Sequence, residues 1–104
     1  MKTIEQIRNG AMVYLIKEIV PMLGTGKALA LEAFAPTIIE ANIKQYIEKE
    51  WIACTNFVDG EKVNVEVLYR LLKGASTNKW PITLFGIRFN ETDLDKMYEC
   101  IKEV

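Results

Sequence analysis

Residues 80–101, WPITLFGIRFNETDLDKMYECI, decide how this chain folds. Pro81 biases Trp80 away from helical backbone, so the stretch begins extended. Residues 82–89 alternate in part and contain Gly86, which reads either as a tight hairpin or as one strand with a bulge. Asn90 then offers a side-chain oxygen to the first amides of a helix, with Asp93 three residues on. Glu91, Asp93 and Asp95 suit the positive end of that helix, and Lys102 its negative end. Leu94, Met97, Tyr98 and Ile101 recur at helical spacing and form its apolar stripe. The unit is an extended piece that feeds a capped amphipathic helix.

A weaker version lies just upstream, at residues 57–73, FVDGEKVNVEVLYRLLK. Asp59-Gly60 between short apolar arms is a hairpin signal, though the arms are short enough for a plain loop. Asn64 caps the next helix, which buries Val67 or Leu68, then Leu71 and Leu72. Glu66 and Arg70 pair on its outer side, and Gly74 closes it. The two units can be overlaid, with Leu68-Tyr69 on Met97-Tyr98, Leu72-Lys73 on Ile101-Lys102 and Val65 on Leu94. This is either an internal duplication or ordinary helix patterning. A lone hairpin is marginal in water. Residues 82–89 are therefore expected to pack on the helices, or to join the arms at 57–63 in a small sheet.

Toward the N-terminus, Thr3 can cap a helix from Ile4, with Gln6 in the capping-box position. Ile4, Ile7, Ala11, Tyr14 or Leu15, Glu18 and Met22 follow a helical period, with only Glu18 off-type, and Met12, Ile16 and Ile19 widen the stripe. A helix apolar over more than one face has neighbours on two sides, or lies in an oligomer interface. Pro21 should kink or end it near Val20, with Gly24 as the stop. Residues 27–35, KALALEAFA, are strongly helical and rich in small residues that permit close helix approach. Pro36 breaks the register, so that Thr37 starts a new segment or the helix bends. Ile38, Ile39, Ile43, Tyr46, Ile47 and Trp51 mark one face of the segment after the proline, with Glu40–Lys44 and Lys44–Glu48 as helical ion pairs. That segment should end around residues 52–55.

The totals bound the function. A chain of 104 residues with half its residues hydrophobic is one globular domain. The formal net charge of -1 provides no basic field for a phosphate backbone. Residues 1–8 lack the apolar core of a signal peptide, and neither 11–23 nor 28–39 reaches the roughly 20 apolar residues of a membrane span. Cys54 and Cys100 form no CxxC pair and read as two reduced thiols, with a disulfide between them left open. There is no histidine, which removes many acid–base and nucleophile designs.

Other candidate chemistry reads more simply as structure. Gly24-Thr25-Gly26-Lys27 has Pro21 and Ala28 where a Walker loop needs glycine and Ser or Thr. It reads as a helix stop followed by a helix start, with Lys27 and free amides forming a weak anion site. Asp93 and Asp95 are two apart, on different sides of a helix, and serve capping and the dipole. Glu91, Asp93 and Asp95 lack the spacing of a calcium loop. Trp51 and Trp80 sit at element edges and read as packing or as interface anchors.

Residues 59–69, with Val63-Asn64-Val65-Glu66-Val67-Leu68-Tyr69 after Asp59-Gly60, carry a resemblance together with 82–90 and 93–98. The chain resembles a group of small uncharacterised proteins encoded among bacteriophage and prophage genes of Gram-positive bacteria. Its opening helix, with Glu18-Ile19-Val20-Pro21, is similar too. The resemblance implies a phage context and carries over no catalytic or binding residue.

The expected architecture is mainly α. It is a small helical domain of four or five helices over residues 1–104, with a short β-hairpin or strand near the C-terminus. The expected function is non-catalytic: a phage-encoded protein acting through protein–protein contact, as an accessory virion component or an antagonist of a host factor, and a homo-oligomer. Ile4, Ile7, Met12, Ile16, Ile19 and Trp51 are the candidate interface. The alternative is a module that sequesters a nucleotide signal through Thr25, Lys27, Trp80 and Arg88. Neither reading calls for a metal, a cofactor, nucleic acid or a membrane. The expected location is the host cytoplasm or the virion.

Overall fold

The computed structural model describes residues 1–50, 58–75, 82–84 and 87–104. The fold is mainly α, with four α-helices among the described residues, and its first helix, α1 (Ile4–Tyr14), lies at the centre. Its broadest contact is with α4 (Glu91–Lys102), and α2 (Thr25–Glu50) packs against it as well. The third helix, α3 (Val65–Ala75), packs against α4.

The start of α1 follows its sequence. Thr3 Oγ1 accepts the Gln6 amide at 3.1 Å, and Gln6 Oε1 accepts the Thr3 amide at 2.9 Å, which closes a capping box. Ile7, Gly10, Ala11 and Tyr14 are buried. Past Tyr14 the helix widens into a π-helical stretch, Leu15–Ile19, and then tightens into a 3₁₀ turn, Val20–Met22. Pro21 has no amide for the Lys17 carbonyl and its ring crowds that oxygen, and the chain leaves regular α geometry around it.

Thr25–Glu50 is one helix of 26 residues, so of the two readings of Pro36 no new segment starts at Thr37 and the helix continues. Leu31 and Ala35 are buried before the proline and Ile43 after it. One packed face therefore spans the missing hydrogen bond. Glu32, whose carbonyl loses its donor, is exposed, so water can serve it. At about 1.5 Å per residue α2 is roughly 39 Å long, close to the 42 Å long axis of the molecule. Glu40 pairs across to α1, with Arg8 Nη1 at 2.7 Å, and not along its own helix with Lys44.

The β structure is small. Strands β2 (Val58–Asp59) and β3 (Lys62–Val63) form the hairpin that Asp59-Gly60 predicts, with Gly60 at a φ of 64°. Strand β1 (Lys2–Thr3) pairs antiparallel with β3 on its other edge, placing Lys2 opposite Val63. This third strand was not expected from sequence. It supports a hairpin too short to stand alone. Strands β4 (Ile82–Leu84) and β5 (Ile87–Phe89) form a separate hairpin, so the 82–89 stretch is neither one bulged strand nor part of the first sheet.

Both later helices are capped by asparagine. Asn64 Oδ1 accepts the Val67 amide at 3.3 Å to start α3, which runs past Gly74 to Ala75. Asn90 Oδ1 accepts the Asp93 amide at 3.1 Å and Asp93 Oδ2 accepts the Asn90 amide at 2.9 Å, so α4 has a full capping box. The core lies in two clusters. One gathers Ile7, Ala11, Ile43, Val63, Val65, Leu68 and Ile101. The other gathers Tyr14, Leu15, Ile19, Leu31, Ala35 and Phe89. Ile39 and Met97 pack against both and join them.

Candidate functional site

Helix α4 positions two carboxylates on opposite sides, and each accepts a tyrosine hydroxyl from a different helix. Tyr14 on α1 donates to Asp93 Oδ1 at 2.5 Å. Tyr14 is only 3% exposed. Burial, and then the adjacent Asp93 carboxylate, push its phenol far above the usual value of about 10. Tyr69 on α3 donates to Asp95, and Lys73 Nζ lies 3.3 Å from the same carboxylate oxygen. The Tyr69 hydrogen bond, aided by Lys73, holds Asp95 below the usual carboxylate range. Hydrogen bonds to Tyr69 and Asp95 raise Lys73.

The α3–α4 contact carries a further arrangement. The rings of Tyr69 and Tyr98 stack with centroids 4.4 Å apart and an interplanar angle of 16°. Lys73 Nζ lies 5.2 Å from the Tyr69 centroid and Lys102 Nζ 4.7 Å from that of Tyr98. Each lysine is four residues after its tyrosine, so one turn of helix brings it over the ring. Tyr69 and Tyr98, overlaid in sequence, are thus brought face to face, each with the lysine of its own helix over its ring.

Between the helices lies a partly open cleft of about 190 Å³. Its walls come from all four α-helices and from Phe89 on β5, and they are almost wholly apolar. Leu31 and Ile39 line it from α2, Leu68 from α3 and Met97 from α4. Asn42, Asp93 and Tyr98 are among the polar residues on its wall.

The candidate residues from sequence are dispersed. Thr25 and Lys27 are exposed at the start of α2, and Arg88 is exposed on β5. No hydrogen bond or ion pair among the described residues joins them, and Trp80 lies outside those residues. Of the candidate interface, Ile7 and Ile19 are 1% and 3% exposed and belong to the chain's own core. Ile4 and Met12 are half-buried against the two clusters. The physical reason is that α1 has neighbours on two sides, one of the two readings its broad apolar surface allowed. Ile16 alone keeps a large exposure, 49%. Trp51 and Cys54 lie outside the described residues, whereas Cys100 is a half-buried free thiol.

Sequence reasoning missed Gly10. A Cβ there would lie 2.6 Å from Ile101 Cα, so α1 and α4 touch backbone to backbone. The available signal was a glycine inside an apolar helical stripe. It also missed the partners of Asp93 and Asp95, because hydrogen bonds between distant helices leave no local spacing. Among the described residues there is no cluster of metal-ligating side chains, and no helix is long and apolar enough to cross a membrane. Compared with family models, with curated proteins and with solved structures, the chain finds no match.

Proposed function

We propose that this chain is a non-catalytic interaction protein that works through protein–protein contact and associates with a second copy of itself. The observation that carries this reading is the set of large apolar side chains left in solvent between residues 13 and 29. Val13 and Ile16 are each 49% exposed, Met22 73% and Leu29 63%. Large apolar side chains left in water favour burial against a partner. Both carboxylates of α4 that sequence offered for chemistry are engaged in helix-to-helix hydrogen bonds, which supports a structural role for them. The resemblance to phage and prophage proteins supports a setting in the virion or the host cytoplasm, as an accessory component or an antagonist of a host factor.

Size-exclusion chromatography with light scattering at micromolar concentration tests the self-association. The expected species is a dimer or larger, and Ile16→Glu combined with Leu29→Glu should reduce it to a monomer with unchanged helical circular dichroism. A strictly monomeric parent protein would refute the reading.

A further inference from the structure

We infer that the interhelical cleft is a binding site for a small apolar molecule with a hydrogen-bond-donating head, an alcohol or an amine, and that it discriminates against acids. The inference stands apart from the proposed self-association, which rests on Val13, Ile16, Met22 and Leu29, none of them on the cleft wall. Size sets the class. An apolar cavity of about 150 Å³ holds benzene, and this cleft has about 190 Å³. A helix is about 10–12 Å across, so a single ring or a short alkyl chain fits and a partner helix does not.

Charge sets the head group. Asp93 stands on the cleft wall, and among the described residues its carboxylate receives only neutral donors, the Tyr14 hydroxyl and the Asn90 amide. No cation pairs with it there, so its negative charge is offset only by these two hydrogen bonds and the positive end of α4. A donor head is attracted to that carboxylate, and an acid is repelled in surroundings that screen poorly. Asn42 and Tyr98 make no hydrogen bond with any described residue, which leaves polar groups on the same wall for a hydroxyl or an ammonium. The apolar body would lie against Leu31, Ile39, Leu68 and Met97.

The test is a methyl NMR titration of the full chain with 1-octanol, octylamine and octanoate, three probes with the same chain. Saturable shifts at Leu31, Ile39 and Leu68 are expected with the alcohol and the amine, and affinity about tenfold or more lower for the acid. Asp93→Asn, which keeps an acceptor and loses the charge, should bring octanoate close to octanol. Ala35→Leu should fill the cleft and weaken all three probes, and if that variant does not fold the Asp93→Asn arm decides. Three results would overturn the inference: no saturable shift with either donor probe, octanoate binding as well as octanol to the parent chain, or shifts that follow protein concentration and so report a second copy. Cross-relaxation from the cleft methyls to residues 51–57 without any probe would also overturn it, because the protein would then fill its own cleft.

Discussion

The two sides of α4 use the same chemistry with tyrosines buried to different depths. Toward α1, Asp93 receives the hydroxyl of Tyr14, and Gly10 sits against the backbone of Ile101. Toward α3, Asp95 receives the hydroxyl of Tyr69, with Lys73 beside it and two stacked rings. Tyr14 is buried, whereas the Asp95 and Lys73 side chains are 48% and 42% exposed. Losing one partner of a tyrosine–carboxylate pair leaves an unsatisfied group, and the more water reaches the pair the more of that loss it makes good. The first side is therefore expected to bear more stability. The second is expected to bear less.

The largest effect should come from Gly10→Ala. Intrinsic helix propensity favours alanine by about 1 kcal/mol. The Cβ would meet Ile101 Cα at 2.6 Å, though, and backbone must move. Overpacking of this kind costs about 1–3 kcal/mol or more, so urea denaturation should show net destabilisation. A more stable variant would mean that the helices do not touch there. Next in size is Tyr14→Phe, which removes a buried donor and should cost about 1–3 kcal/mol. Equal losses from Tyr14→Phe and Tyr69→Phe in the same assay would erase the contrast between the two sides.

Sequence legibility divides along a related line. Local features were readable, because Thr3, Asn64 and Asn90 are caps whose partners lie three residues away. The stripe of α4 and the Asp59-Gly60 turn were readable for the same reason. Pro36 left two readings open, and the helix continues because packing of Leu31, Ala35 and Ile43 on one face outweighs the single hydrogen bond that proline removes. The β1–β3 pairing joins residues some sixty positions apart, and two-residue strands carry no period to read. The cleft was illegible because it exists only where four helices diverge. Tyr69 and Tyr98 were matched by pattern, yet nothing in that pattern says that matched residues will touch. Their caps differ, since Asn64 precedes Tyr69 by five residues and Asn90 precedes Tyr98 by eight.

A pH titration sharpens the contrast. Tyr14 has a folded-state pKa above its unfolded value, so its contribution is fully present below about pH 10 and is lost as pH rises beyond that. Phenol absorbance should show one tyrosine resisting ionisation until the protein unfolds, and Tyr14→Phe should lose that component. Asp95 shifts the other way. Its contribution is present above the unfolded carboxylate value of 3.8 and declines as acid carries pH down through the lower folded value. Lys73, raised in the fold, contributes below its ordinary value of 10.5 and loses this as pH rises.

Smaller changes belong to the solvent side. Tyr98→Leu should lose the stack with Tyr69, worth about 0.5–1.5 kcal/mol. Tyr69→Phe keeps the stack and gives up the hydroxyl that holds Asp95 low, and it should lower the denaturation midpoint by less than Tyr14→Phe does.

The contact at Gly10 also sets the azimuth of α4. A slip of one residue along a helix turns its side chains by about 100°. With Lys102 or Cys100 brought into the notch instead of Ile101, Asp93 would swing away from Tyr14 and Asp95 away from Tyr69. A hydrogen atom in place of a methyl group thus indexes the helix like a key in a slot, and both tyrosine latches close only in that one rotational setting.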